Sequence, residues 1–438
     1  MAPRVEGDSA ARPPNRWGIC GRLTSWISDK ELSREFWTFF VAALCFDFGF
    51  AMFLFLYNLF LLDLGFDERQ LGLIAGAMTL GSVVATIPMG MFAQRAGLRR
   101  VLCVGFVATP LISAMRTVAT GEHVQVGLAF VCGMFLCSWA VCFSPAAAKL
   151  TSERNRTFAF SLLFSVGIGT GGIGGLIGGY LPGWLQSFFP ALHAADAKRA
   201  VLLLCCGIVV LGMWPVSRLK FPVAEAAARR GVWRFDPYLL RFLPAVALWS
   251  LVAGCFVPFA TAYLSRQVHV PLAHIGMIFS ASQIAQVAAV LLAPAVFRRC
   301  GLVAGIMYTQ IATAIALAGL AQVHELPLIV PLYLSFTAFH WMGGPGIYSL
   351  LMNRVEEGSR SNASAATNLA TSLSQAIAAT VAGAAYVDFG YPKVLSAIAC
   401  TAAFAAILFW ILLRDRRDVR DDKEVTNRMQ EEDNYAVD

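Results

Sequence analysis

The most constraining feature of the sequence is a series of twelve mostly apolar stretches that recur along nearly its whole length. A helix that crosses the hydrocarbon core of a bilayer needs about 20 mostly apolar residues. The stretches that meet this requirement are residues 36–62, 70–93, 101–120, 125–147, 158–185, 199–217, 239–264, 273–296, 302–322, 327–351, 362–387 and 392–413. Hydrophobic residues make up 58% of the chain and charged residues 14%, against roughly 45–50% and about 25% in soluble domains. We therefore predict an all-α, multi-pass membrane protein with twelve transmembrane helices.

The longest interior connection between two spans divides the twelve into two sets of six. We predict a cytoplasmic leader over 1–34, a first six-helix bundle over 35–217, a linker over 218–238, a second six-helix bundle over 239–413 and a cytoplasmic tail over 414–438. The first thirty residues contain no apolar core of signal-peptide length, so a cleaved leader is not expected.

The basic residues predict how the spans are oriented. With both termini inside the cell, the interior segments contain Arg95, Arg99, Arg100, Lys149, Arg154, Arg156, Arg218, Lys220, Arg229, Arg230, Arg234, Arg298, Arg299, Arg354, Arg360 and the basic residues of the tail. The exterior loops contain only Arg69, Lys198, Arg199, Arg266 and Lys393. Cytoplasmic loops of membrane proteins carry an excess of Lys and Arg. We therefore expect both termini in the cytoplasm, at the plasma or inner membrane, and this placement of the net charge of +7 argues against a nucleic-acid partner.

A short cationic hairpin, "GMFAQRAGLRR", joins the second and third spans, and "PAVFRRCGL" repeats its pattern 204 residues later. The hairpin resembles the signature loop of the major facilitator superfamily, G-x-x-x-D-R-x-G-x-R-R/K. The matching residues are Gly90, Arg95, Gly97, Arg99 and Arg100, and the echo contributes Arg298, Arg299 and Gly301. The resemblance implies two pseudo-symmetric six-helix bundles and transport by alternating access.

One position departs from the family pattern. Gln94 replaces the acidic residue that helps to latch the two halves in the family, so a charge-based latch is not implied. The orientation rule alone would also account for Arg99 and Arg100. For Gly90 and Gly97 we expect tight helix ends and close backbone approach.

A glycine stripe runs through the fifth span. Gly167, Gly171, Gly175 and Gly179 recur every four residues, so they share one helical face that a neighbouring helix can approach closely. The formal G-x-G-x-x-G in this run lies inside a helix and not after a strand, which argues against a nucleotide site. In the family this helix packs near the interface of the halves. Drug antiporters of the superfamily carry a Gly-Pro in it, which this run lacks before Pro182.

Asp47, about a dozen residues into the first span, is the clearest ionisable group inside the bilayer. It shares a face with Ala51, Leu54 and Asn58. Low-dielectric surroundings disfavour an isolated carboxylate, so Asp47 could take up and release a proton. Two interpretations stay open: a proton or cation site in a central cavity, or a structural acid that accepts hydrogen bonds from another helix.

Other polar and aromatic residues inside the spans are candidates for solute binding or for helix association. They are Tyr57, Asn58, Trp249, Gln283, Gln286, His340, Trp341, Asn368 and Gln375. The sequence "GGPG" after Trp341 predicts a helix break of the kind that lines transporter sites. Arg116, near the outer end of the third span, is expected to extend to the membrane surface.

These observations predict a monomeric secondary active transporter whose partners are a small-molecule solute, a proton or other cation, and the lipid bilayer. No Walker A sequence or enzyme motif occurs, the eleven cysteines have no metal-site spacing, and no cofactor is expected. A cavity poor in fixed charge favours export of a lipophilic or neutral compound. Uptake of a sugar-like or organic metabolite, and a non-transporting receptor on a transporter scaffold, remain alternatives.

We expect epitope tags at both termini, and in the loops that contain Arg95 and Arg298, to be accessible only from the cytoplasm. The sequons at Asn155 and Asn362 should remain unglycosylated in a eukaryotic host, because they lie on the same side. Antibody access in intact and permeabilised cells measures both. Arginine-bearing loops on opposite sides would contradict the number of spans.

Overall fold

A computed structural model describes residues 32–221, 237–355 and 360–414. Three predicted segments lie largely outside the described residues: the leader before residue 32, most of the linker with Arg229, Arg230 and Arg234, and the tail after residue 414. The regular structure within them is entirely helical.

The described residues contain the twelve predicted transmembrane helices. The first six are α1 (Arg34–Asp63), α2 (Glu68–Ala96), α3 (Leu98–Val118), α4 (Glu122–Lys149), α5 (Glu153–Phe188) and α6 (Ala194–Leu211, extended after Gly212 by Met213–Arg218). The others are α7 (Pro237–Phe256), α8 (Leu272–Cys300), α9 (Leu302–Gln322), α10 (Leu326–Arg354), α11 (360–389) and α12 (391–413). The last two form one continuous helical segment except at Gly390, where a φ of 76° marks the boundary between two spans.

Single glycines form the turns between α2 and α3 and between α8 and α9. Gly97 has φ 88° and ψ 149°, and Gly301 has φ 79° and ψ 156°. This part of backbone space favours a residue without Cβ. The helices that flank the two glycines correspond at the offset of 204 residues: α2 and α8 contain 29 residues each, and α3 and α9 contain 21. The repeat seen in the hairpin sequence is therefore a repeat of whole helices.

The expected break at "GGPG" is absent, because α10 is continuous from Leu326 to Arg354. Pro345 removes only one backbone donor, and α9 packs closely against the neighbouring glycines: a Cβ on Gly346 would lie 2.9 Å from the Ile306 side chain. Irregular helical backbone is found instead after Phe256. There a 3₁₀ turn (Val257–Phe259) and a π-helical turn (Tyr263–Gln267) continue α7 to the end of its span.

Two seams join the two halves of the molecule, α1–α6 and α7–α12. Helix α2 meets α11 at Gly72 and Gly383, and α5 meets α8 at Gly179 and Gly276. In both seams a Cβ added to one glycine would lie 3.0 Å from the Cα of its partner. The two pairs are equivalent at the offset of 204, so the same backbone contact occurs twice about the pseudo-symmetry axis.

The seams lie towards one side of the membrane. We call the side where α1 begins and α12 ends the terminal face, and the other side the opposite face. Gly72, Gly179, Gly276 and Gly383 lie in the parts of their helices near the opposite face. Further along the same helix surfaces, towards the terminal face, the side chains are exposed: Phe164, Ile87, Ile284, Leu291, Leu369 and Leu373. The halves are therefore in contact at the opposite face and separate towards the terminal face.

We expect Gly276→Ala to destabilise the closed opposite face, because the added methyl group would lie 2.6 Å from the Gly175 carbonyl oxygen. Overpacking of this kind costs about 1–3 kcal/mol, which shifts the ratio of closed to open molecules by roughly 5- to 150-fold. Hydrogen–deuterium exchange at the opposite-face ends of α2, α5, α8 and α11 should accelerate.

Gly169→Ala in α5 is the matched control for this substitution, because no atom lies within 4 Å of the methyl group that it adds. Equal acceleration of exchange in the two variants would show that the glycine contact does not hold the halves together.

Candidate functional site

The middle of α1 presents one partly open face between the halves. Asp47, Ala51 and Asn58 are half-buried and Leu54 is 40% exposed, whereas the intervening residues Met52, Phe53, Phe55, Leu56 and Tyr57 are buried. Asn58 contacts the other half directly, because its side-chain amide donates to the Pro258 carbonyl at 2.7 Å. The face predicted from helical periodicity therefore points to the space between the halves.

Asp47 lies at the junction of three helices of the first half. The indole of Trp139 in α4 is within hydrogen-bonding reach of its carboxylate. A Cβ added to Gly167 in α5 would lie 3.5 Å from one carboxylate oxygen, so the glycine leaves room for the acid. No ion pair joins Asp47 to a basic residue among the described residues.

Aromatic rings surround the Trp139 side of this junction. The Trp139 ring lies 4.7 Å from Phe46 and 5.3 Å from Phe143 between centroids, and Phe39 and Phe106 complete the cluster. Phe143 in turn contacts Phe164, whose ring is 58% exposed. The carboxylate thus lies beside an apolar aromatic surface that extends towards the open side of the molecule.

The glycine stripe of α5 continues from Asp47 along the seam with α8. Gly171 faces the Gln283 side chain, Gly175 faces Phe279 and Gly179 faces Gly276. Ser280 donates to the Gly172 carbonyl at 2.5 Å, which joins the halves at mid-membrane. The structure therefore brings Gln283 and Asp47 to the same stripe, one from each half.

Tyr57 is placed inside the first bundle and not on the surface between the halves. Its hydroxyl donates to Gln125 at 2.5 Å, and the guanidinium carbon of Arg116 lies 4.2 Å from its ring centroid. Arg116 is 2% exposed, so it does not extend to the membrane surface as expected. The Tyr57 ring and the surrounding side chains of α2 and α4 hold it inside the bundle instead.

The candidates of the second half are dispersed. Trp249 is 5% exposed and its ring is stacked on His340 at 5.1 Å within that half. Trp341 is half exposed, and Asn368 is exposed and accepts a hydrogen bond from Tyr348 at 3.3 Å. The backbone of Gln375 packs against Gly254, and the Gln286 side chain is half-buried.

A polar cluster that the sequence did not indicate closes the opposite face. Glu68, the first residue of α2, is 7% exposed and forms an ion pair with Arg266 of α7 at 3.0 Å. Tyr391 of α12 donates to its other oxygen at 3.1 Å, and Arg266 also donates to the Phe66 carbonyl at 2.8 Å. We call Glu68, Arg266 and Tyr391 the opposite-face latch, because they join three helices across the interface.

A second inter-half ion pair is more exposed than the latch, in which the Glu68 side chain is 9% exposed and the Arg266 side chain 38%. Arg69 and Asp388 lie 3.1 Å apart and each side chain is 51% exposed. Solvent screens such a pair on both sides, so it contributes less than the latch, in which the carboxylate is buried.

The signature loop is exposed at the terminal face. Gln94, Arg95, Arg99 and Arg100 are solvent-exposed. Gly90 has only ordinary contact with Val141 at 4.0 Å, so the expected close approach is absent there. The turn at Gly97 requires its positive φ. Because the halves are separate at this face, the loop does not pack against the other half.

Two small concavities lie within single halves. One is lined by Tyr263 and Leu320, and the other by Gly49, Thr109 and Cys205. Neither is lined by residues of both halves, so neither corresponds to a site between the bundles.

Sequence reasoning missed Trp139, Glu68 and Tyr391. No feature of the sequence distinguishes Trp139, because aromatic residues are common in apolar spans. Glu68 has the position of a residue in the first turn of a helix, where acids are common for electrostatic reasons. Its pairing with α7 and α12 depends on a contact between distant parts of the chain.

The sequence profile of the Major Facilitator Superfamily matches residues 39–252 and again residues 242–431. The chain belongs to the Major Facilitator Superfamily. The two matches cover the two halves of the fold, and the predicted family is thereby confirmed. A search of curated proteins finds no match.

Solved structures of superfamily transporters share the fold. The chain is similar to a variant of the nucleoside transporter NupG, with a TM-score of 0.72, 14% identity and coverage of 87% of this chain and 100% of that one. It is also similar to a bacterial homologue of the human lysosomal transporter Spinster in an inward-facing, occupied conformation (TM-score 0.69, 12% identity, 87% and 97% coverage). A D-xylose–proton symporter gives a TM-score of 0.66, 15% identity and 86% and 98% coverage.

We expect Glu68→Gln to loosen the opposite face, because the amide keeps the shape of the side chain but loses the charge that Arg266 pairs with. A hydrogen bond to a charged group contributes about 1.5–3 kcal/mol, so exchange at the start of α2 and the end of α7 should rise by roughly 10- to 150-fold.

Asp388→Asn removes a carboxylate from the exposed pair with Arg69 and serves as the control. It should change exchange only slightly. A change as large as that of Glu68→Gln would contradict the conclusion that the latch contributes more to closure than the exposed pair.

Proposed function

We propose that this superfamily transporter exports a small lipophilic or neutral solute by alternating access, and that proton binding at Asp47 couples the movement to a proton gradient. The observation that carries the proposal is the position of Asp47. Its carboxylate lies about halfway along α1, on the face that borders the space between the halves, beside the Trp139 indole.

Proton coupling is supported by the lack of a fixed counter-charge. The described ion pairs of the chain lie at the opposite face, where Asp63 pairs with Lys198 and Glu68 with Arg266. Asp47 has the Trp139 indole within hydrogen-bonding reach and a glycine beside it instead. Its charge can therefore change with proton occupancy without leaving a buried cation unpaired. A charged and a neutral Asp47 would favour different arrangements of the halves, which is the requirement for coupling.

The class of solute is inferred from the surfaces that border this site. Leu54, Phe143 and Phe164 are partly or well exposed near Asp47, and Gln283 supplies an amide from the other half. Such a surface suits an apolar body with few polar groups. A solute of this kind crosses the bilayer unaided into the cell, whereas its removal against a gradient requires energy. The apolar surface therefore supports export.

The described state fits one end of the transport cycle. The opposite face is held by the glycine seams and the latch, and the terminal face is open. With the predicted orientation, the site then faces the cytoplasm. In the other state the latch separates and the terminal face closes, so that the loops containing Arg95 and Arg299 approach each other. Gln94 would contribute a hydrogen bond and no ion pair to that closure.

The solute class can be tested before any flux measurement. Purified full-length protein is heated with a library of lipophilic, neutral and sugar-like compounds at two pH values. A bound compound increases the free energy of unfolding by mass action, by about 2.7 kcal/mol at 100 times its Kd, and so raises the melting temperature. Stabilisation by sugar-like compounds alone would support the uptake alternative and overturn the lipophilic class.

With a stabilising compound in hand, we expect Asp47→Asn to abolish accumulation against a gradient in proteoliposomes. Exchange of labelled for unlabelled solute should continue, because the amide cannot take part in proton coupling but leaves the path intact. Trp139→Phe should give an intermediate loss, since it removes the indole donor and keeps the ring.

Asp63→Asn is the control, since it replaces a carboxylate of the same helix that pairs with Lys198 at 2.7 Å near the opposite face. Unchanged pH-driven accumulation in Asp47→Asn would overturn the coupling role. Binding without flux in the unsubstituted protein would identify a receptor. Movement of the solute in the same direction as the protons would identify uptake.

A further inference from the structure

The last helix of each half ends in the same pair of residues at the terminal face. Trp214 and Arg218 are four residues apart in α6, and Trp410 and Arg414 are four residues apart at the end of α12. The guanidinium carbon of Arg218 lies 3.9 Å from the Trp214 ring centroid, and that of Arg414 lies 4.6 Å from the Trp410 ring. Each indole therefore holds a guanidinium over its face by a cation–π interaction.

The two pairs occupy corresponding places in the halves although the loops before them differ. The segment 189–193 separates α5 from α6, whereas Gly390 alone separates α11 from α12. The offset between corresponding residues falls from 204 in the earlier helices to 196 at these tryptophans, and the shorter loop accounts for four of these eight positions. The orientation rule requires only a basic residue at such a position. It does not require an indole four residues before it in both halves.

Each pair lies at the end of an outward apolar stripe. In α6, Leu204, Leu211 and Trp214 are exposed and share a face with Arg218. In α12 the exposed residues Phe404, Ile407 and Ile411 share a face with Arg414. Exposed apolar side chains on membrane helices contact acyl chains, so each arginine lies where the acyl region ends and the headgroups begin.

Both guanidinium groups are available to an external anion. Arg218 and Arg414 are exposed, and neither is in an ion pair within the described part of the chain. Glu35 is the one carboxylate whose side chain is described at the terminal face, among a large set of basic residues. The described ion pairs all lie at the opposite face, so charge complementarity at the terminal face points to anions from outside the protein.

We propose that Trp214–Arg218 and Trp410–Arg414 are two equivalent binding sites for the phosphate of an anionic phospholipid, one on each half. The guanidinium donates to the phosphate oxygens, a pairing that can use two parallel N–H donors. The acyl chains lie along the exposed stripes of α6 and α12. A zwitterionic lipid carries a cation beside its phosphate, which weakens its attraction to the arginine, so the sites prefer lipids with net negative charge.

Native mass spectrometry of the full-length protein tests this proposal, with phosphatidylglycerol and phosphatidylcholine added in parallel. We expect the unsubstituted protein to retain phosphatidylglycerol preferentially, at two sites. Arg218→Gln combined with Arg414→Gln should weaken its retention about fivefold per site, the factor that corresponds to about 1 kcal/mol for one basic residue near an anionic surface. Trp214→Leu combined with Trp410→Leu should weaken it less, because the charge remains.

Lys149→Gln combined with Arg241→Gln is the matched control. It removes the same charge from exposed residues of the same face that have no tryptophan beneath them. An equal loss of phosphatidylglycerol in this control would overturn the proposal, because it would show diffuse attraction without defined sites. Displacement of the lipid by an excess of inorganic phosphate would also overturn it, since the sites would then bind a soluble anion.

Discussion

The contact of bare backbone against bare backbone at two glycine pairs is the constraint on which the rest of the structure depends. Gly72 with Gly383, and Gly179 with Gly276, let the two halves meet at the opposite face without side chains between them. Such contacts gain dispersion energy only at close range and are lost together when helices tilt. They can therefore act as an all-or-none closure. The open terminal face, the exposed signature loop and the accessibility of the Asp47 region all follow from closure on one side only.

Three ionisable residues within the membrane helices have three different environments. Glu68 has its charge matched by Arg266 and a hydroxyl, so it contributes to closing the halves. Arg116 is held by an aromatic ring and has no carboxylate partner among the described residues, which places a permanent cation in the core of the first bundle. Asp47 has neither arrangement. Because an unpaired charge inside the membrane is costly, this difference is the physical basis for our proposal that Asp47 binds a proton and Glu68 contributes to closure.

Local sequence signals predicted the helices well and the site only in part. All twelve spans were located, and α9 has the predicted bounds of 302–322, because apolar length and the following polar residues are local properties. The glycine stripe predicted close approach, but the identity of the partner, α8, was not readable from α5 itself. The break expected at Pro345 is absent and an irregular end of α7 was not foreseen. In both cases the packing of neighbouring helices determines whether the helix is interrupted or remains continuous at a residue that weakens it.

The sequence by itself determined that this chain is an all-helical membrane protein built of two related halves, since hydrophobic length, charge asymmetry and the repeat at an offset of 204 are properties of the chain alone. Tertiary structure decided which of its polar residues meet. Glu68, Arg266 and Tyr391 are separated by up to 323 positions, and Tyr57 differs from Asn58 only by the rotation of one helix. Helical periodicity gives a residue its face, but the packing of the other helices determines whether that face borders lipid, a bundle core or the space between the halves.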